Sequence, residues 1–187
     1  MSSFDAQFRG LRERPLRTAL VVGALLALGA ISACTVRPLY ADSTTTSGLP
    51  VRGELSQIAV KPVSTRYGQE VRNHLIFLFG GGKGQPAASK YSLQLSVVAR
   101  AQSAVLIQSA GDNEPTAGTL TMIGSYTLTE NGKGATLAAG ERRVTSNYDL
   151  PKQEYAALRA VRDAENRAAR ELAQVLQLAI AQEMSQR

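Results

Sequence analysis

This chain of 187 residues contains one cysteine, Cys34, one histidine, His74, and no tryptophan. A single cysteine rules out an internal disulfide framework. With His74 as the only imidazole and no carboxylate pair at ligand spacing, no metal or other cofactor is expected. A serine triad would have to use His74, and no Gly-x-Ser-x-Gly turn is present. Asp163 and Glu165 lie two apart on a predicted helix and point to different faces. The residues therefore offer no acid, base and nucleophile together, and the chain reads as a non-enzyme. Aromatic residues make up only 5% of it and the basic residues are scattered, so no nucleic-acid partner is expected.

Long apolar runs are missing too. The uncharged stretch Ala19–Ile31 has 13 residues, short of the roughly 20 that span a bilayer as a helix. Its context is informative. Arg9, Arg12, Arg14 and Arg17 precede it, and Ser32, Ala33 and Cys34 follow. A basic segment, a short apolar segment and small residues before a cut site form a secretory signal. A cysteine at the cut makes Ile31-Ser32-Ala33-Cys34 a lipobox, so residues 1–33 are expected to be removed and Cys34 acylated. The competing readings are an ordinary signal peptide or a transmembrane anchor. Position 35 is Thr rather than Asp, which resembles the outer-membrane sorting pattern of Gram-negative lipoproteins.

The first 33 residues hold four of the 21 basic and two of the 15 acidic side chains, leaving a mature formal charge of +4 on 154 residues. That is one domain's worth, long enough to bury a core without staples. Residues 34–53 are rich in Ser, Thr, Gly and Pro and read as a flexible tether from Cys34. Residues 54–187 then read as a single domain. Ile58-Ala59-Val60 is a short strand. Ser64 suits a helix N-cap, and Tyr67, Val71, Leu75 and Leu78 recur at helical spacing until Gly80-Gly81-Gly82.

The glycines around Lys83 do not make a phosphate loop, because Gly84 stands where a hydroxyl is required. From Lys90 the period changes to two and runs toward Ile107. A polar loop over Ser109–Gly118 follows, then a second alternating strand through Leu128. Asn131-Gly132 signals a tight hairpin, with a return strand over Ala135–Tyr148. Pro151–Met184 reads as a long helix with Leu158, Val161, Ala168, Leu172, Leu176 and Ala179 on one stripe. The expected fold is α+β, a two-layer sandwich of a four-stranded antiparallel or mixed sheet with two helices on one face.

Several of these residues resemble a known family. Cys34 with Arg37-Pro38-Leu39-Tyr40, the helix segment Val71-Arg72-Asn73-His74-Leu75, and the closing run Tyr148-Asp149, Tyr155-Ala156, Arg159-Ala160 and Asp163-Ala164-Glu165 resemble alphaproteobacterial lipopolysaccharide-assembly lipoproteins, the LptE family. Thr35 and Val36 stand where that family usually has Gly and an aromatic.

The resemblance implies two helices on a four-stranded sheet. It implies an outer-membrane lipoprotein on the periplasmic side, held by N-terminal acyl chains. Such a protein plugs the LptD β-barrel, assists its assembly and supports lipopolysaccharide transport to the outer leaflet. It also implies lipopolysaccharide contact through basic residues. Arg162 before Asp163 matches one such position, and Ile107 and Gln108 occupy the region of another. Arg142 and Arg143, adjacent on a predicted strand and so facing opposite sides, are further candidates for phosphate contact or simply a solvated edge. The alternative from another class is an independent periplasmic carrier with a lipid pocket between sheet and helices.

Overall fold

The computed structural model describes residues 51–105 and 117–186. Cys34, the signal segment, Ile107 and Gln108 lie outside them. In chain order the elements are α1 (Val51–Leu55), β1 (Ile58–Val60), α2 (Arg66–Gly80), β2 (Tyr91–Val105), β3 (Ala117–Glu130), β4 (Thr136–Asp149) and α3 (Glu154–Ser185).

The four strands form one mixed sheet in the order β1-β2-β3-β4. β1 runs parallel to β2, and the other two pairings are antiparallel. Alternation on β2–β4 sorts side chains by face. Leu93, Leu95 and Val97 share a face with Leu120, Met122, Tyr126 and Leu128 and with Ala138, Val144 and Tyr148, and all are buried. α2 packs on β1 and β2, α3 on β3 and β4, and the helices pack on each other. The expected α+β sandwich is therefore present, with three helices rather than two. The other face carries Thr119, Thr121, Thr127 and Thr145 with Val98, Ile123 and Arg143.

Local chemistry moves several boundaries. α2 is capped by Thr65 rather than Ser64: the Gly68 N–H donates to Thr65 Oγ1 at 3.2 Å. Its C-terminal end closes on Gly81 in the left-handed region, with φ 58°. The β3–β4 connection is not a two-residue turn but Asn131–Ala135, closed by Glu130 N–H donating to Ala135 O at 3.0 Å. Asn131 is used elsewhere, since its Nδ2 donates to Ser89 O at 2.8 Å and ties the hairpin to the loop before β2. α3 begins at Glu154, after Pro151. Both sheet edges have a backbone group taken by a side chain. Val60 N–H on β1 donates to Gln85 Oε1 at 2.7 Å, and Asn147 O on β4 accepts from Arg167 Nη2 at 2.8 Å.

The helical turn α1 takes in the last three residues read as tether, Val51–Gly53, together with Glu54 and Leu55. One turn does not hold itself in water, so packing and polar contacts must fix it. Val51 and Leu55 are buried in the core, and Glu54 is 3% exposed. Its carboxylate accepts from Tyr91 Oη at 2.5 Å and from Lys90 Nζ at 3.5 Å. Lys90 Nζ also stands 5.0 Å from the Tyr91 ring centroid.

Tyr91→Phe removes the hydroxyl donor from a buried carboxylate, and urea unfolding should show a loss of about 1–3 kcal/mol. Burial, and then the Glu54 carboxylate, push the Tyr91 hydroxyl above its ordinary 10.0. Since the folded value is the higher one, this contribution is complete below pH 10 and lost as pH climbs through the raised value. Tyr126 is raised the same way, by burial first. Stability should therefore fall on alkaline titration, less steeply in Tyr91→Phe than in the parent. An identical slope would remove Tyr91 from the account.

Candidate functional site

The buried residues of α3 begin at Ala164 and run to Met184, so its first ten residues, Glu154–Asp163, bury no side chain fully. On that stretch Tyr155, Leu158, Arg159 and Arg162 fall at i, i+3, i+4 and i+7 and share one helix face. Tyr155 is 71% and Leu158 57% exposed. Leu158 is thus not part of the packed stripe predicted for it.

A groove of about 400 Å³ lies between this face and the start of α2, lined by Arg66, Tyr155, Leu158, Arg159, Arg162, Asp163 and Asn166. A second hollow of about 360 Å³ borders Asp163 from the β4 side, beside Tyr148, Asp149 and Arg167.

The side chains of the groove are set by their neighbours. Arg66 bridges the two helices, with Nη1 donating to Glu165 Oε2 at 3.0 Å and Nη2 to Asn166 Oδ1 at 2.8 Å. Asp163 pairs instead with Arg167 one turn on, so the two acids do point apart. Arg159 Nη1 donates to Tyr155 Oη at 3.3 Å, and its guanidinium lies 5.8 Å from that ring. Arg162 has no partner among the described residues and is exposed. The groove therefore offers one unengaged guanidinium, two more with outward capacity, and two exposed apolar side chains. A guanidinium fork suits phosphate or carboxylate oxygens. The apolar pair beside it suits a ligand that is anionic at one end and greasy at the other.

The structure does not gather the sequence candidates in one place. Arg162 sits in the groove. Arg142 and Arg143 pair with Gly124 and Ile123 in mid-strand. Six residues, about 20 Å of strand, separate Arg142 from Tyr148 at the groove end. Arg143 is exposed on the open face, while Arg142 is on the helix side with its Nη1 donating to Glu141 O at 2.8 Å. Sequence reasoning missed Arg66, because its place in the groove depends on how α2 crosses α3. His74 is half-buried within α2, away from the groove.

A family model described as LptE, lipopolysaccharide-assembly, matches residues 55–180. This chain belongs to the LptE family. That family is a non-catalytic, lipopolysaccharide-assembly lipoprotein family. Among solved structures, a lipoprotein from Caulobacter crescentus CB15 aligns at TM-score 0.59 and 25% identity, over 73% of this chain and 97% of that one. The rare lipoprotein B from Shewanella oneidensis aligns at TM-score 0.50 and 12% identity, over 67% and 92%. The latter likeness shows the fold alone. No curated protein matches the sequence. An LptE-family body thus carries the groove between the start of α2 and the first turns of α3.

Proposed function

We propose that this LptE-family chain is an outer-membrane lipoprotein, anchored through acylated Cys34 on the periplasmic side. Its folded body seats in the lumen of an LptD-like β-barrel as a plug, assists the barrel's assembly and supports lipopolysaccharide passage to the outer leaflet. The groove of Arg66, Arg159 and Arg162 takes the lipid's phosphates, with Tyr155 and Leu158 beside the acyl region. The observation that carries this reading is the family match spanning most of the folded body. The unengaged Arg162 in an amphiphile-shaped groove supports it. A wide barrel lumen is polar, and the threonine-rich open face of the sheet suits such surroundings.

A free carrier would hold an acyl chain between sheet and helices. That layer is occupied: Leu75, Leu93, Leu120, Met122, Leu128, Leu172, Leu176 and Ile180 are each at most 1% exposed.

Crosslinking in membranes followed by affinity capture should recover a large barrel in a fixed ratio to this protein. Capture without any barrel would defeat the plug reading. Arg159→Glu with Arg162→Glu should lower co-purifying lipopolysaccharide by about tenfold or more, since each lost charge-assisted contact is worth roughly 1.5–3 kcal/mol. Unfolding midpoints should stay within a few degrees of the parent, because both residues are exposed. Unchanged lipid content would move the lipid contact elsewhere.

A further inference from the structure

At the end of the body opposite the groove, two loops share a local sequence. Gly82-Lys83-Gly84 follows α2, and Gly132-Lys133-Gly134 joins β3 to β4. All four glycines are in the left-handed region, with φ between 64° and 89°. The space beside Gly84, Gly132 and Gly134 is open. Each turn thus projects one exposed lysine.

The loops belong to one surface. Asn131 N–H donates to Lys90 O at 2.9 Å, and Asn131 Nδ2 donates to Ser89 O at 2.8 Å. Lys90 in turn reaches Glu54 on α1, and α1 adds exposed Arg52. Two of the acids at this end are already engaged. Glu54 is buried under Tyr91 and Lys90. Glu130 is 3.4 Å from Lys133 in a solvent-facing i,i+3 pair, too weak to hold that lysine. Glu183, in the last turn of α3, is an exposed acid on this side of the body, set against the four basic groups. Arg66 of the groove and the Lys83 turn lie at the two ends of α2, whose 15 residues span about 22 Å.

The described chain begins at this same end, with Val51 of α1. Sixteen residues separate it from Cys34, a reach of up to about 55 Å. A tether that long does not by itself decide which end of the body meets the bilayer.

We infer that Lys83 and Lys133, with Arg52 and Lys90, form a docking surface for anionic phospholipid headgroups. Before the body is seated in a barrel, it turns the tether end onto the leaflet that holds the anchor and leaves the arginine groove facing away. This rests on the anchoring at Cys34 proposed above. The tether keeps the lysines close to the surface, so each weak contact acts at high effective concentration.

The test uses protein purified from its host membrane, with the N-terminus made there. If Cys34 is acylated, a cysteine introduced at Ala135 or at Leu158 is the single free thiol and takes one polarity-sensitive dye. Both proteins are bound to vesicles of phosphatidylcholine alone or with added phosphatidylglycerol. The Ala135 dye should shift to the blue only on the anionic vesicles and revert in high salt. The docked fraction, read as docked over undocked, should fall about fivefold for each of K83Q and K133Q. The Leu158 dye should not respond. Equal shifts on neutral vesicles, or a response at Leu158 in place of Ala135, would overturn the inference. Dye uptake by the parent at Cys34 would instead sink the anchor reading. The two probes, read in a C34S background, then still report which end meets the anionic surface.

Discussion

Leu172→Ala is expected to destabilise the body by about 3–4 kcal/mol, near the middle of the range for fully buried leucines. Leu172 is 0% exposed and sits at the crossing of α3 over β3. The crossing is tight because Gly124, in the central strand, has no side chain. A methyl group there would stand 3.0 Å from Leu172 Cδ2 and 3.3 Å from Leu176 Cδ1. Neighbouring rows cannot relax into the void left by truncation, since Met122 and Leu128 are already fully enclosed. In a thermal melt the midpoint should drop by about 10 °C for a domain of this size. Leu178→Ala on the same helix, at 52% exposure, should change stability by less than about 0.5 kcal/mol. Equal effects of the two would mean that α3 is not seated as described.

Cys34→Ser should release the protein from the membrane almost completely. A serine there receives no thioether-linked diacylglycerol, so the chain has no acyl group to insert, whether or not its leader is cut. Each buried methylene contributes about 0.8 kcal/mol, and one myristoyl chain binds only marginally, whereas several chains hold durably. No helix among the described residues is long and apolar enough to cross a membrane as a substitute. The mutant should therefore move to the periplasmic fraction unless a barrel retains it. Intact mass of the parent should exceed that of the chain from Cys34 onward by the acyl groups. A parent of unmodified mass would refute the anchor.

Most of the fold could be read directly because alternation at period two is hard to counterfeit. Leu93, Leu95 and Val97 alternate with Ser92, Gln94 and Ser96, which marks β2 as a strand with one apolar and one polar face. Boundaries were less legible where two residues compete for one role. Ser64 and Thr65 both suit a cap, and only the spacing to Gly68 selects Thr65. The turn α1 was invisible because its stability comes from Tyr91 and Lys90, 36 or more residues away in sequence. The same limit applies to the groove. Arg162 is picked out by the family resemblance, which places a basic residue before Asp163, whereas Arg66 enters only through its bridge to Glu165 and Asn166, about 100 positions on. Leu158 continued the apolar stripe on paper. A helix period says which residues share a face, and nothing about where the opposing sheet ends.

The placement of α1 has a mechanical corollary. If the chain is anchored through Cys34 as proposed, a pull along it reaches β1 through this single turn, held by Val51, Leu55 and the Glu54–Tyr91 contact. That turn makes far fewer interactions than the sheet and can peel away while the strands keep their register. Under that anchoring, α1 is the weak link between attachment and sheet, and its release would leave the strands and the arginine groove in place.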